Sequence, residues 1–511
     1  MIRRVALLLA ALLACSAAAT ADDTVPDSAT IRAKVAAAMG PLPTAYHETD
    51  ETTSSGELTA MEYRAVRGQS WRHVYNSGPF HFEEGLDKAQ AWHQNDNGQT
   101  ILDQPDPGFA TSETTTTTVS RVHTPVEAYV IATLDAQGYG TKQYVDPTTW
   151  QTVRRERIEA NGIETTTYDD VRLDHDRTFA HHWHIVDPIS ETAEDVRVTA
   201  YDHDPVTDEQ VAIAPPLRAL VTVPGGADSV TLPTQFTDSD VIVRVTINGR
   251  GLDFILDTGA DGIYMDLDVA KQLGLPFYGR SSAVVAQRFT TARTIVPEMH
   301  VGNLVMRNVA VQLAPQGWDA GPYVKAVGLL GFDFLAELGV TIDYEHQRVT
   351  VVPGGAYVPP TDPHTIALDV RIGGGAPHAS VRINGALGER WILDTGHGGT
   401  FMIFDYFARR HPEAVHDEHN WGAHSDPVVF SGVGGEFDTR PYVIANLQLS
   451  NLDFVDVLGY RVMSKGSYDW DDDGLIGSSF LRLFTVGLDY GNSSVYLVPT
   501  KSTLRSMHPG H

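Results

Sequence analysis

The chain contains one of its own segments twice, and that repeat restricts the fold more than any other feature. "VTINGRGLDFILDTGADG", ending at Gly262, faces "VRINGALGERWILDTGHGG", ending at Gly399. Further on, "GLLGFDFLAELGVTIDYEHQRVTVVP" faces "GLIGSSFLRLFTVGLDYGNSSVYLVP". Gly328 to Asp343 and Gly474 to Asp489 both span 15 residues, and each Asp stands ten before a proline, Pro353 or Pro499. Asn248 precedes Asp257 by nine residues, and Asn384 precedes Asp394 by ten. A period this long belongs to duplicated domains, not to a stacked array.

Each copy reads as mainly β. An Asn-Gly pair predicts a tight hairpin, and an apolar strand then ends in Asp-Thr-Gly. A short helical stretch follows, "YMDLDVAKQLGL" in the first copy. More strands lead to Gly-Leu-(Leu/Ile)-Gly, a helical piece at Phe334-Leu335 or Phe480-Leu481, and a last hairpin. Asn248 and Asn384 are read as turn residues only.

A carboxylate at the end of a buried strand is costly unless it is paired or hydrogen-bonded. Two such carboxylates, Asp257 and Asp394, are expected to meet. Gly259 and Gly396 allow a sharp turn, and Thr258 and Thr395 can pin it through backbone hydrogen bonds. Two carboxyls about 3 Å apart cannot both ionise easily, so they share a proton and titrate as a unit. Such a pair can take a proton from water while giving one to a carbonyl oxygen. That chemistry needs no metal, organic cofactor or covalent intermediate, and none is expected here.

With "ILDTGA" at 255–260 and "GLLG" at 328–331 in that order, the chain resembles the aspartic peptidases, the retropepsin-like branch in particular. The resemblance covers about 236–356 and again 366–500. It implies an acid-protease β-barrel for each copy, catalysis by Asp257 and Asp394, and a hairpin flap closing over an extended peptide. "VVFSGVGGEFDTRPYV" is taken as the better flap, with Gly432, Gly434 and Gly435 at its tip, and "AVVAQRFTTARTIV" occupies the same place in the first copy. The duplication favours a monomeric pseudo-dimer over two chains pairing. One departure stands out: Ala260 follows the first turn, but His397 follows the second. An imidazole there could crowd the cleft or shift the pair through its charge.

Upstream, "SATIRAKVAAAMG" predicts a helix capped at Ser28 and stopped at Gly40. From 45 to 205 short alternating segments rich in Thr, Val and Tyr, separated by turns such as "NDNG" and "DPTT", predict an antiparallel meander. The run Thr114–Thr118 is read as a loop or exposed strand. With "AWHQNDNG" and "YVDPTTWQTVRRERIEANGIETTTYDDV", residues 25–205 resemble the outer-membrane lipoprotein-carrier fold, a curved sheet around helices, which can hold acyl chains.

The extreme N-terminus carries "MIRR", then "VALLLAALL", then "AAATA", the three parts of an export signal cut before Asp22. A periplasmic or secreted protein is expected. Cys15, the only cysteine, offers an alternative: a lipid anchor and a membrane-attached lipoprotein. No stretch is long and apolar enough to span a bilayer. A formal charge of −28 argues against nucleic acid as a partner.

The predicted order is therefore signal 1–21, carrier-like domain 22–213, linker 214–235, first barrel 236–356, linker 357–365, second barrel 366–500 and tail 501–511. "DWDDDG" (Asp469–Gly474) opens like a calcium loop but has Phe480 where an acidic ligand is required, so a solvated turn is preferred. His182 and His184 of "HHWH" are too few for a metal site. No Gly-x-Ser-x-Gly is present. The function these readings imply is an exported aspartic endopeptidase acting on a peptide or protein. The alternatives are a non-catalytic peptide-binding or assembly protein with the same fold, and a lipid or lipoprotein carrier with accessory barrels.

Overall fold

In the computed structural model the two Asn-Gly pairs fold alike: Asn248 and Asn384 take φ of 50° and 49°, and Gly249 and Gly385 take 74° and 91°. Both central residues thus have positive φ, the turn that matches strand twist in a two-residue hairpin. The structure describes residues 25–105, 115–124, 126–136, 138–159, 162–223, 228–315, 324–416, 420, 422, 425–464 and 472–507. The signal segment with Cys15, Thr114 and Asp469–Asp471 lie outside these residues.

The protein is mainly β: a large antiparallel sheet followed by two barrels. The first hairpin joins Val241–Ile247 to Arg250–Leu256. Six strands then close a ring. Val241–Ile247 pairs with Arg288–Val301, which pairs with Leu304–Ala314, then Ile263–Asp266, then Gly328–Leu330, and so back to Arg250–Leu256. The second ring repeats the order with Ala376–Ile383, Gly435–Leu449, Leu452–Val462, Phe401–Ile403, Gly474–Gly477 and Ala386–Asp394. Closure leaves these strands few free edges. In each ring the apolar strand before Asp-Thr-Gly lies parallel to the Gly-Leu-(Leu/Ile)-Gly strand, with Leu256 beside Leu330 and Leu393 beside Ile476.

The last hairpins of the two copies join the barrels. Leu338–Asp343 pairs antiparallel with Phe484–Asp489 at the centre of a six-stranded sheet. One apolar core runs through both barrels, from Val243 and Phe254 to Trp391 and Leu488. Burial of that shared surface fixes how the copies face each other. In the stretch 214–235, read as a linker, two described pieces pair with barrel strands. Val221–Thr222 pairs with the strand Leu304–Ala314, and Val230–Thr231 pairs with Arg348–Pro353. The supposed tail starts with a helix, Lys501–Met507, and Thr503 donates to the Leu483 carbonyl at 2.7 Å.

The N-terminal region is a 13-stranded antiparallel meander in which the first strand, Ala45–Ser54, also pairs with the last, Thr192–Asp202. The helix Ser28–Met39 packs Ile31 and Val35 on Ile131 and Val145. Its cap is Asp27, not Ser28: the Asp27 carboxylate accepts the Thr30 N–H at 2.7 Å, which satisfies an otherwise free helix-start donor. Thr116–Val122 forms the edge strand beside Ala128–Leu134.

Candidate functional site

Each Asp-Thr-Gly turn follows a strand whose last apolar side chains are buried, so the carboxyl emerges from a rigid base. The threonines lock the turns together. Thr258 Oγ1 donates to the Leu393 carbonyl at 2.6 Å and accepts the Thr395 N–H at 3.0 Å. Thr395 Oγ1 donates to the Leu256 carbonyl at 2.6 Å and accepts the Thr258 N–H at 3.1 Å. Both threonines are 1% exposed, so these four bonds act away from water.

The lock places the carboxyls of Asp257 and Asp394 side by side, each against the glycine of the other's turn. Burial, reinforced by the Asp394 charge, holds Asp257 well above the usual carboxylate range, and burial raises Asp394 as well. The Gly259 N–H donates to Asp257 at 2.8 Å, and those of Gly396 and His397 donate to Asp394 at 2.8 and 3.0 Å. A Cβ on Gly259 would lie 2.6 Å from Asp394 Cγ, and one on Gly396 would lie 2.5 Å from Asp257 Cγ. Each glycine is therefore the floor on which the opposite carboxyl rests.

Above the pair lies a cleft of about 450 Å³, bordered by Ala260, Tyr264, Val285, His378, Ile392 and Val433 among others. Two hairpins cover it, one from each barrel. The second, Val428–Gly432 with Gly435–Leu449, pairs Gly432 with Gly435 and turns at Val433-Gly434. The first, Tyr278–Val284 with Arg288–Val301, reaches the same point, so neither hairpin alone is the cover. The Ala286 N–H donates to the Val433 carbonyl at 3.1 Å, and Gln287 Nε2 donates to the Glu436 carbonyl at 2.7 Å. Gly434 has φ of 92°, and a Cβ there would come 2.4 Å from the Gln287 carbonyl.

His397 is buried and does not line the cleft. Its ring lies beside Phe430 at 5.6 Å, against Gly399 and Gly477, and burial pulls its pKa down to about 4. It is therefore uncharged at neutral pH and adds no positive field at the pair. The acidic turn before Gly474 is not solvated where it is described. Asp473 is 1% exposed and accepts the Arg390 N–H at 2.9 Å, and Asp472 holds His378 Nε2 at 3.0 Å. His182 and His184 both reach Asp195, at 3.2 and 3.4 Å.

Asp333 escaped the sequence reading. It is 8% exposed and accepts from Asn95 and Asn97 of the N-terminal sheet at 2.7 and 2.8 Å. Burial pushes its pKa up to about 7. The signal was present in the repeat, since "GLLGFDF" has an acid where "GLIGSSF" has Ser479.

Residues 243–334 match the family model described as "Aspartyl protease". No curated protein matches the chain. Among solved structures, the chain is similar to a LolA superfamily protein, NE2245 from Nitrosomonas europaea, at 9% identity and a TM-score of 0.28, covering 37% of this chain and 98% of that one. It is similar to Basic 7S globulin from soybean at 10% identity and a TM-score of 0.32, covering 55% and 96%. A retropepsin-like aspartic protease from Rickettsia conorii shows 17% identity and a TM-score of 0.18, covering 24% and 87%.

Proposed function

We propose that this chain, which carries an aspartyl protease family domain in its first barrel, is an endopeptidase whose single active site joins Asp257 and Asp394. The observation that carries the reading is the facing carboxyl pair, each carboxyl against the other's turn glycine, held by reciprocal Thr258–Thr395 bonds. A peptide lies extended between the carboxyls and the two hairpins, adding a strand to their edges. Water bound between the carboxyls gives a proton to the ionised one while its oxygen attacks the scissile carbonyl carbon. The protonated carboxyl gives its proton to the carbonyl oxygen, so the tetrahedral intermediate is a neutral diol. When that collapses, the amide nitrogen takes the proton of the protonated carboxyl, one diol hydroxyl gives its proton to the ionised carboxyl, and the C–N bond breaks, which leaves one proton on the pair again.

The mechanism needs one proton on the pair. Activity then falls at high pH, when both carboxyls are ionised, and at low pH, when neither can act as base. Because both turns belong to one chain, turnover per chain is independent of protein concentration. The leader with its basic start and small-residue end supports export, which N-terminal sequencing of the mature protein checks.

The direct test is cleavage of a peptide library by the full chain and by Asp257→Asn and Asp394→Asn. Loss of cleavage in both variants is expected. Cleavage that survives either substitution, or none by the unmodified protein from acid to neutral pH, would overturn the reading.

A further inference from the structure

We propose that the cavity between the N-terminal sheet and the first barrel is a substrate subsite for a lysine or arginine side chain, on a peptide that runs from the carboxyl pair past Asp261. The inference rests on the endopeptidase reading for its direction, and on the cavity's own walls for its chemistry.

The cavity holds about 260 Å³, room for one long side chain. It shares Asp261, Gln312 and Gly374 with the cleft over the pair, so the two spaces adjoin. Three parts of the chain wall it: Phe80, Phe82 and Asp96 from the sheet, Asp261 and Arg293 from the first barrel, and Gly374 from the second. The sheet's contribution is fixed in place. Asn97 exchanges two hydrogen bonds with Ala310, its Nδ2 donating to the carbonyl at 3.2 Å and its Oδ1 accepting the N–H at 2.8 Å. Asn97 and Asn95 also hold Asp333, as described above.

Charge decides what fits. Arg293 is already matched, with Asp96 at 3.0 Å and the Phe80 ring 4.1 Å below its guanidinium. His93 is engaged by Asp103 at 2.7 Å. Asp261 accepts from the Tyr264 hydroxyl at 2.6 Å and, among the described residues, meets no cation. An acid side chain entering here would meet carboxylates in excess. A basic one would gain Asp261 and lay its apolar stem on the part-buried Phe82, since the Phe80 ring is already covered by Arg293. The other half of the cleft is built differently. In the repeat, Gly398 stands where Asp261 does and Ser479 where Asp333 does, and Ser479 Oγ donates to the Gly398 carbonyl at 2.5 Å. The preference is therefore one-sided.

The experiment uses the full chain and quenched peptides in which one flanking position at a time is Lys, norleucine or Glu. At one position on one side of the cleaved bond, Lys is expected to exceed norleucine in kcat/KM by about tenfold, the worth of one charged hydrogen bond. Asp96→Asn frees Arg293 and should turn the order toward Glu, and Phe82→Lys on the same wall should remove the Lys advantage. Melting curves show whether each variant is folded. Binding of the same peptides to full-length Asp257→Asn, by fluorescence anisotropy, gives a reading without cleavage. Cleavage or binding that is indifferent to Lys at every position overturns the subsite and leaves the peptidase reading standing. Lys-selective binding without any cleavage by the unmodified chain supports the subsite and sinks the peptidase.

Discussion

Thr258 and Thr395 each accept the other's backbone N–H and each donate to the strand beneath the other's turn. Neither turn can shift without breaking bonds of both. Thr258→Val keeps the shape but leaves the Leu393 carbonyl and the Thr395 N–H unpaired in a dry place. Each orphan costs about 1–3 kcal/mol, so a loss of about 3 kcal/mol in stability is expected by denaturant unfolding. Thr258→Ser retains both bonds and should lose less than about 1 kcal/mol. Equal losses would mean that the hydroxyl does not lock the turns.

Gly259 and Gly396 set the approach of the carboxyls. Gly396→Ala puts a methyl 2.5 Å from Asp257 Cγ, closer than any real contact, so Asp257 must swing off Asp394. Misplacement of about 1 Å costs about a hundredfold in rate. A drop in kcat of at least that size is expected for either alanine variant. The folded state should persist, because the cleft can accept the displaced carboxyl. Full activity in Gly396→Ala would show that the pair is not the reacting group.

Much of this site is readable from spacing, because a duplicated Asp-Thr-Gly fixes both what the carboxyl is and where its twin must be. The Asn-Gly turns are equally plain, since their conformation is a local property of Asn248-Gly249 and Asn384-Gly385. What spacing does not reveal depends on contacts between distant segments or on fine local geometry. The helix cap is Asp27 rather than Ser28 because it is the Asp27 carboxylate that reaches the Thr30 N–H. His397 reads as a threat to the cleft, yet its ring is buried beside Phe430, more than thirty residues on, and does not line the cleft. The segment 214–235 reads as a linker because its prolines hide two short strands whose partners lie far along the chain. Asp333 needs Asn95 and Asn97, more than two hundred residues upstream, before it has a purpose.

The N-terminal sheet also grips one of the two covering hairpins. Arg288 donates to the carbonyls of Pro188 and Ile189 at 2.7 and 2.5 Å, and Ser282 is held by the Ser190 carbonyl and by Glu191 at 2.8 and 2.9 Å. The other hairpin, Val428–Gly432 with Gly435–Leu449, meets Ala286 and Gln287 of the first at its tip. Arg288→Ala should therefore loosen the first hairpin while costing less than about 1 kcal/mol overall, as exposed ion contacts do. Faster amide exchange over 278–290 and a KM raised several-fold are expected. Unchanged exchange there would show that the sheet does not restrain the hairpin.

His397 and Asp333 pull stability in opposite directions as pH changes. Burial lowers His397 from 6.5 to about 4, so between those values the unfolded chain binds the extra proton and the folded one does not. Its contribution is present above pH 6.5 and is lost as pH falls through 4, about 3 kcal/mol in all at about 1.4 kcal/mol per unit. Asp333 is raised from 3.8 to about 7, so its contribution is present below 3.8 and is lost as pH rises through 7. Unfolding measured across both windows, 3.8 to about 7 and about 4 to 6.5, separates them. His397→Gln should flatten the acid-side fall between 6.5 and about 4, and Asp333→Asn should flatten the decline between 3.8 and about 7. Slopes left unchanged by His397→Gln would mean that the imidazole takes up its proton as readily in the folded protein as in the unfolded one, and below pH 6.5 the field at Asp394 would then have to include it.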